Sequence, residues 1–229
     1  MKMKYTIKQI KPFIEKYIKI DKIDFIGRGE DSEAFCVNNE FVFKFPKHKN
    51  ANDCLRNEIL LLKQLQNTFE IEIPNVIYEG EFTIDHNNFA FFASKKLKGK
   101  NLTKKDFLSL EPDKQEKAAK TIAKFLKTLH SINKEKTEKD LVLLHGDFSL
   151  DHVLFQNGEV SGILDFADCH IGNYEKDFEY LLDDEDPEEF GKKFGEKVLE
   201  YYLQMKEFHP FQKILNGKQL MPELAMVLL

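Results

Sequence analysis

The sequence has no CxxC pair, and its three cysteines, Cys36, Cys54 and Cys169, are too few and too scattered for a disulfide framework or a zinc site. They read as reduced, buried or half-buried thiols. A basic excess is also missing: acids outnumber lysine plus arginine 39 to 34, the net charge is -5 and the isoelectric point is about 5.9. A general nucleic-acid binder carries a basic face, so that class is set aside. The amino terminus, MKMKYTIKQIKPFIEKYIKI, has a lysine every few residues and no continuous apolar stretch. It is therefore neither a signal peptide nor a membrane span, and a cytoplasmic protein that does not bind membranes is expected. Internal repeats and low-complexity linkers are absent too. What is present is a chain of 229 residues, 42% hydrophobic and 12% aromatic, long enough to bury a sizeable core in one large or two small domains.

The periodicities divide the chain. Ile7, Ile10, Ile14 and Tyr17 fall on one face of a short amphipathic helix. IDFIGRGEDSEAFCVNNEFVFKFPK then reads as strand, glycine turn, strand, Asn-Asn turn and strand, a β-meander. From Ala51 to Gln66 the pattern is helical, with Leu55, Leu62 and Leu65 on one stripe and Glu58 on that same stripe. Pro74 to Tyr78 and Phe89 to Leu97 read as two more strands, making a small α+β unit. After the turn Lys98-Gly99-Lys100, a helix is expected from Lys114 to His130, burying Ala118, Ile122, Phe125, Leu126 and Leu129. LVLLHGD, VLF and GILDF read as short β segments around an Asn157-Gly158 hairpin, and the rest, from Lys176, as helices.

The chemistry concentrates in LLHGDFSLDHVLF and GILDFAD. An apolar strand delivers Asp147 into a loop, and the second strand of the following hairpin delivers Asp165. Two carboxylates at the ends of adjacent buried segments repel each other unless a cation or substrate is bound. These motifs, HGD-x-x-x-x-H followed by DF-x-D, resemble the catalytic signature of the aminoglycoside phosphotransferase family. HGDFSLDHVLF is most similar to the branch that modifies the 2''-hydroxyl of aminoglycosides. The resemblance implies an α+β, bilobal protein-kinase-like fold, with a small five-stranded antiparallel lobe over residues 1–97 and a mainly helical lobe over 98–229. It also implies that Asp147 orients the acceptor hydroxyl and takes its proton, that His152 and Asp165 hold magnesium, and that His145 and Asp177 are structural. Most of the wider family has Asn in place of His152, so a role in packing or hydrogen bonding is the alternative for that residue.

The nucleotide side follows. Lys44 is a lone charge alternating with Phe41, Phe43 and Phe45, so the pleat sends it to the opposite face from those rings. It resembles the kinase lysine that grips the nucleotide phosphates, with Glu58 as the partner that a carboxylate on an apolar stripe demands. In GRGEDS, Gly27, Gly29 and Ser32 resemble a phosphate-covering loop, although such glycines also serve ordinary hairpin turns. Ser94, Lys95 and Leu97 resemble the hinge whose backbone meets the purine, with ATP and GTP left open.

On the acceptor side, the run EYLLDDEDPEE is either a solvated helix end or, with Asp168, a surface for the ammonium groups of a polycation. Ser149, Asp168, Asp183, Asp184 and Glu185 are the candidates for acceptor binding. Two departures from the 2''-branch fall on this side. Only a short polar loop, SINKEKTEKD, stands where a helical insertion is usual, and the sequence ends on NGKQLMPELAMVLL, earlier than is usual in that branch. The expected partners are a nucleoside triphosphate and a small-molecule acceptor, with a monomer expected. Kinases for choline, homoserine or a sugar, and a nucleotide-binding regulator without transfer activity, are the competing readings.

Overall fold

The structure, a computed structural model, describes residues 4–132, 141–186 and 188–205. The polar loop and the carboxy-terminal segment from HPFQKILNGK onward therefore lie largely or wholly outside the described residues. The chain forms two compact units: residues up to Lys63 with Pro74–Lys96, and Gln64–Ile73 with the residues from Leu97 onward.

The first unit is built on a five-stranded antiparallel sheet of β1 (Ile23–Arg28), β2 (Ser32–Val37), β3 (Phe41–Pro46), β4 (Val76–Ile84) and β5 (Asn87–Lys95), in the order β1-β2-β3-β5-β4. Both later strands are longer than their apolar cores suggest, because β4 and β5 form a hairpin whose ladder continues through polar Thr83, Asn87 and Asn88. Helix α1 (Ile7–Ile14) is started by a capping box in which Thr6 and Gln9 satisfy each other's backbone N–H. It buries Ile10 and Ile14, while Ile7 and Tyr17 of the expected stripe are only partly covered. The core is aromatic: Tyr5, Phe35, Phe43, Phe45, Phe82 and Phe91 are all buried in one cluster with Ile10 and Ile14. Phe45 meets Phe82 edge-on, with centroids 5.1 Å apart, and stacks on Phe91 at 5.3 Å. Each such ring contributes about 1.5–3 kcal/mol by leaving water. Helix α2 (Lys49–Leu65) buries Leu55, Leu62 and Leu65, and with them Glu58.

The second unit is mixed. Helices α3 (Lys104–Leu108), α4 (Pro112–His130), α5 (Glu179–Leu182) and α6 (Lys192–Gln204) accompany two short antiparallel pairs. In one, β7 (Val153–Gln156) and β8 (Glu159–Ile163) form the expected Asn-Gly hairpin; in the other, β6 (Leu141–Leu144) pairs with β9 (His170–Asn173). The strands that lead to Asp147 and Asp165 thus belong to separate pairs, and β9 is an addition to the expected elements. Residues 64–73 join this unit because Glu72 pairs with β8, its carbonyl accepting from Ile163 N at 3.0 Å. No helix among the described residues is long and apolar enough to cross a membrane.

Candidate active site

In the first unit the β3 pleat does what the alternation requires. Phe43 and Phe45 enter the aromatic core, and Lys44 leaves by the other face to meet α2. Its Nζ donates to both Glu58 oxygens, at 3.1 and 2.8 Å, with Glu58 1% exposed. A carboxylate so buried is stable only with such a partner. Gly27 and Gly29 lie before β2, and a Cβ added to either meets nothing within 4 Å. The protein's own packing therefore does not require glycine at these two positions, whereas a group approaching the loop backbone would. Ser32 opens β2 opposite Pro46. Ser94 is buried within β5, Lys95 is its exposed last residue, and Leu97 begins the second unit.

In the second unit β6 ends at the HGD loop. Gly146 has φ +87°, and an added Cβ would lie 2.1 Å from the carbonyl oxygen of Asp168, so the two backbones can approach this closely only through glycine. His145 donates from Nε2 to Leu164 O at 3.0 Å, and Leu164 N donates to His152 O at 2.8 Å. These two bonds tie the loop of Asp147 to the residue before Asp165. Burial pushes the His145 imidazole down, so it is held neutral. Asp147 and His152 form a pair, Nε2 to Oδ2 3.0 Å. That hydrogen bond holds the Asp147 carboxyl below its ordinary range, against partial burial and the repulsion of Asp165. An ionised carboxylate only accepts, so His152 Nε2 carries a proton and is committed to Asp147. Asp165 takes φ +59°, a left-handed backbone conformation, and its Oδ1 accepts from Ala167 N at 3.4 Å.

Beneath this loop lies Asp177, 1% exposed. Its oxygens accept from the backbone N–H groups of His145 (2.8 Å) and Gly146 (2.9 Å), and His130 Nε2 sits 2.9 Å away, its other nitrogen 3.0 Å from the Tyr202 hydroxyl. Burial opposes ionisation, and His130 with the two N–H groups outweighs it, so the Asp177 carboxyl is held below its ordinary range. A depressed folded value means that this stabilisation is present above the unfolded value of about 3.9 and is lost as pH falls through the folded one. Asp177→Asn, which turns an NH₂ group against donors, should therefore lower stability by about 3 kcal/mol at neutral pH, with the gap to wild type closing in acid. Urea unfolding at pH 7 and near pH 3 checks this; a gap that does not change with pH would contradict it.

The acidic run behaves unevenly. Asp183 caps its own turn, accepting from Glu185 N at 2.8 Å and Asp186 N at 3.3 Å, while Asp184 and Glu185 are exposed. Ser149 is buried. Two residues outside the candidate set feel the charge of Asp147. Tyr180 is exposed, and its hydroxyl is pushed up first by the charge of Asp147, then by burial and by Glu189, Glu179 and Asp168. Glu189 is buried, accepts from Leu150 N at 3.1 Å, and is pushed up by burial and by Asp186, Asp151 and Asp147. In the sequence Glu189 is one acid among many; only the turn of the chain carries it inward.

The comparisons agree with the signature. The profile of the phosphotransferase enzyme family (APH) matches residues 22–140 and 134–212, and the chain belongs to that family. It is a small-molecule kinase of that family. Among solved structures, it is similar to the streptomycin–ATP ternary complex of APH(2'')-IIa, with 27% identity over 86% of this chain and 84% of that one and a TM-score of 0.72. The gentamicin complex of APH(2'')-IIa matches with 26% identity, 85% and 81% coverage and a TM-score of 0.73. ADP-bound APH(2'')-Ib shares the fold, with 23% identity, 96% coverage of both chains and a TM-score of 0.73.

Proposed function

We propose that this protein transfers the terminal phosphate of ATP or GTP to a hydroxyl of an aminoglycoside, with Asp147 as the residue that orients and deprotonates that hydroxyl. The observation that carries the reading is the pairing of an ionised Asp147 with His152 on a loop anchored to Asp177 and tied to Asp165. A carboxylate held below its ordinary range is a weak base in the ground state. It suits phosphoryl transfer, in which the nucleophile needs orientation first and loses its proton late.

The chain is read as bilobal, with residues 1–97 binding nucleotide and 98–229 holding the catalytic loop and the acceptor. Lys44, set by Glu58, would grip the nucleotide phosphates, Gly27, Gly29 and Ser32 would cover them, and Ser94, Lys95 and Leu97 would form the hinge. Magnesium would be held by Asp165 with His152. The donor chemistry fits at Asp165, because magnesium takes one or two protein carboxylates and completes its shell with phosphate oxygens and water, whereas the His152 imidazole is a nitrogen donor that hard magnesium favours less. When bound, the ion would neutralise charge on the phosphates. A cytoplasmic monomer is the setting we propose.

For the acceptor, we infer a polycation. The carboxylates of Asp147, Asp168, Glu179 and Glu189 all act on Tyr180, and exposed Asp184 and Glu185 follow in the chain. Each exposed pair with an ammonium gives about 1 kcal/mol or less, so several must act together and binding must weaken with salt. The test is the KM of gentamicin, with choline, homoserine and glucose as rivals, at low and high salt. We expect gentamicin turnover with a KM that rises steeply with salt, and rises again in the Asp184→Asn, Glu185→Gln double variant while the nucleotide KM is spared. Turnover of a neutral acceptor alone would replace the aminoglycoside with a metabolite.

A further inference from the structure

Lys47, the residue after β3, has no counterpart in the alternation that singles out Lys44, yet it is tied to the glycine loop at three successive carbonyls. Its Nζ donates to Gly29 O and, at 2.5 Å, to Glu30 O, and its backbone N–H donates to Asp31 O at 2.8 Å. A second tie lies beside it, His48 Nε2 to Asp31 Oδ1 at 3.0 Å.

In a planar trans peptide the carbonyl and the next residue's N–H point to opposite sides, and the chain has no cis peptide bonds among its described residues. Three carbonyls drawn toward Lys47 therefore turn the N–H groups of Glu30, Asp31 and Ser32 away from it. Successive N–H groups presented on one side of a turn make an anion-binding concavity. The same loop is open at its glycines, where an added Cβ at Gly27 or Gly29 meets no protein atom within 4 Å.

We propose that Lys47 is a positioning residue for the nucleotide's phosphates: it straps the 29–31 carbonyls to the end of β3 and thereby aims the loop's N–H groups at the phosphate oxygens. This rests on the reading that the loop covers the phosphates. Without the side-chain bonds, the peptide planes after Gly29 and Glu30 lose their hold, while Asp31 O keeps its bond from the Lys47 backbone N–H; the freed planes must be ordered by the nucleotide itself, which weakens binding and leaves the chemistry alone.

The experiment measures nucleotide KM, kcat and melting temperature for Lys47→Met, Lys47→Arg, Gly29→Ala and the Lys47→Met, Gly29→Ala double variant. Methionine keeps an apolar stem and removes the donor; arginine keeps two donors for two carbonyls. Lys47→Met is expected to raise the nucleotide KM about tenfold, with kcat and melting temperature little changed, as befits loss of a charge-assisted bond pair. Arginine should restore most of it. Gly29→Ala should raise the nucleotide KM as well, and the double variant should rise by less than the product of the two, because both act through one loop. An unchanged nucleotide KM in Lys47→Met beside a raised one in Gly29→Ala would overturn the strap and leave the phosphate loop standing. Multiplicative effects in the double variant would overturn it too, by making Lys47 act apart from the loop. No effect in Gly29→Ala would remove the phosphate-loop reading itself.

Discussion

Asp147→Asn is expected to lower kcat by about 10²- to 10⁴-fold while the protein folds as before and binds nucleotide at least as well. Folding survives because the Asp147 side chain is 37% exposed and asparagine's carbonyl can still accept from His152 Nε2. Nucleotide binding survives because Asp165 loses a neighbouring negative charge that, in the wild type, acts against Asp147. What goes is the group we propose to orient the acceptor hydroxyl and take its proton. Steady-state kinetics with circular dichroism as a folding check measures this. A kcat within a few-fold of wild type would remove Asp147 from the chemistry.

Asp165→Asn should act on a different quantity. The left-handed backbone at Asp165, φ +59°, is tolerated by asparagine as well as by aspartate, so the loop keeps its shape and the change isolates charge. If Asp165 holds magnesium against the phosphates, removing that charge lowers affinity for the magnesium–nucleotide complex by about 10²-fold, the order of a lost charge-assisted contact in a partly buried site. Binding of nucleotide without magnesium should barely move. Calorimetric titration with and without the ion separates the two, and equal losses in both arms would assign Asp165 to loop geometry instead.

Much of this site is legible in the amino-acid sequence because its residues break local patterns. Lys44 interrupts a run of phenylalanines and Glu58 a stripe of leucines, and each violation needs the other to be tolerable. The HGD and DFAD motifs are likewise contiguous, so their resemblance to the family's signature is visible in the chain order. The features that the sequence hides are long-range. Strand β9 is only four residues, His170–Asn173, without alternation, and exists because β6 offers it a partner. Asp183 and Glu189 look alike as members of one acidic run, yet one caps a turn and the other is buried under Leu150. His130 and Tyr202 meet across 72 residues, from two helices whose apolar faces disclose packing but not a polar relay to Asp177. Lys47 lies in a lysine-rich stretch where its three carbonyl acceptors leave no trace in spacing.

The most direct measurement of the central claim follows phosphate itself. The purified protein is incubated with magnesium, ATP or GTP, and gentamicin, and the products are resolved by phosphorus NMR. We predict a new phosphate-monoester signal on the aminoglycoside, matched by nucleoside diphosphate and absent with Asp147→Asn. Tight nucleotide binding with no phosphate monoester formed on gentamicin, choline, homoserine or glucose would contradict the claim and make the protein a nucleotide-binding regulator.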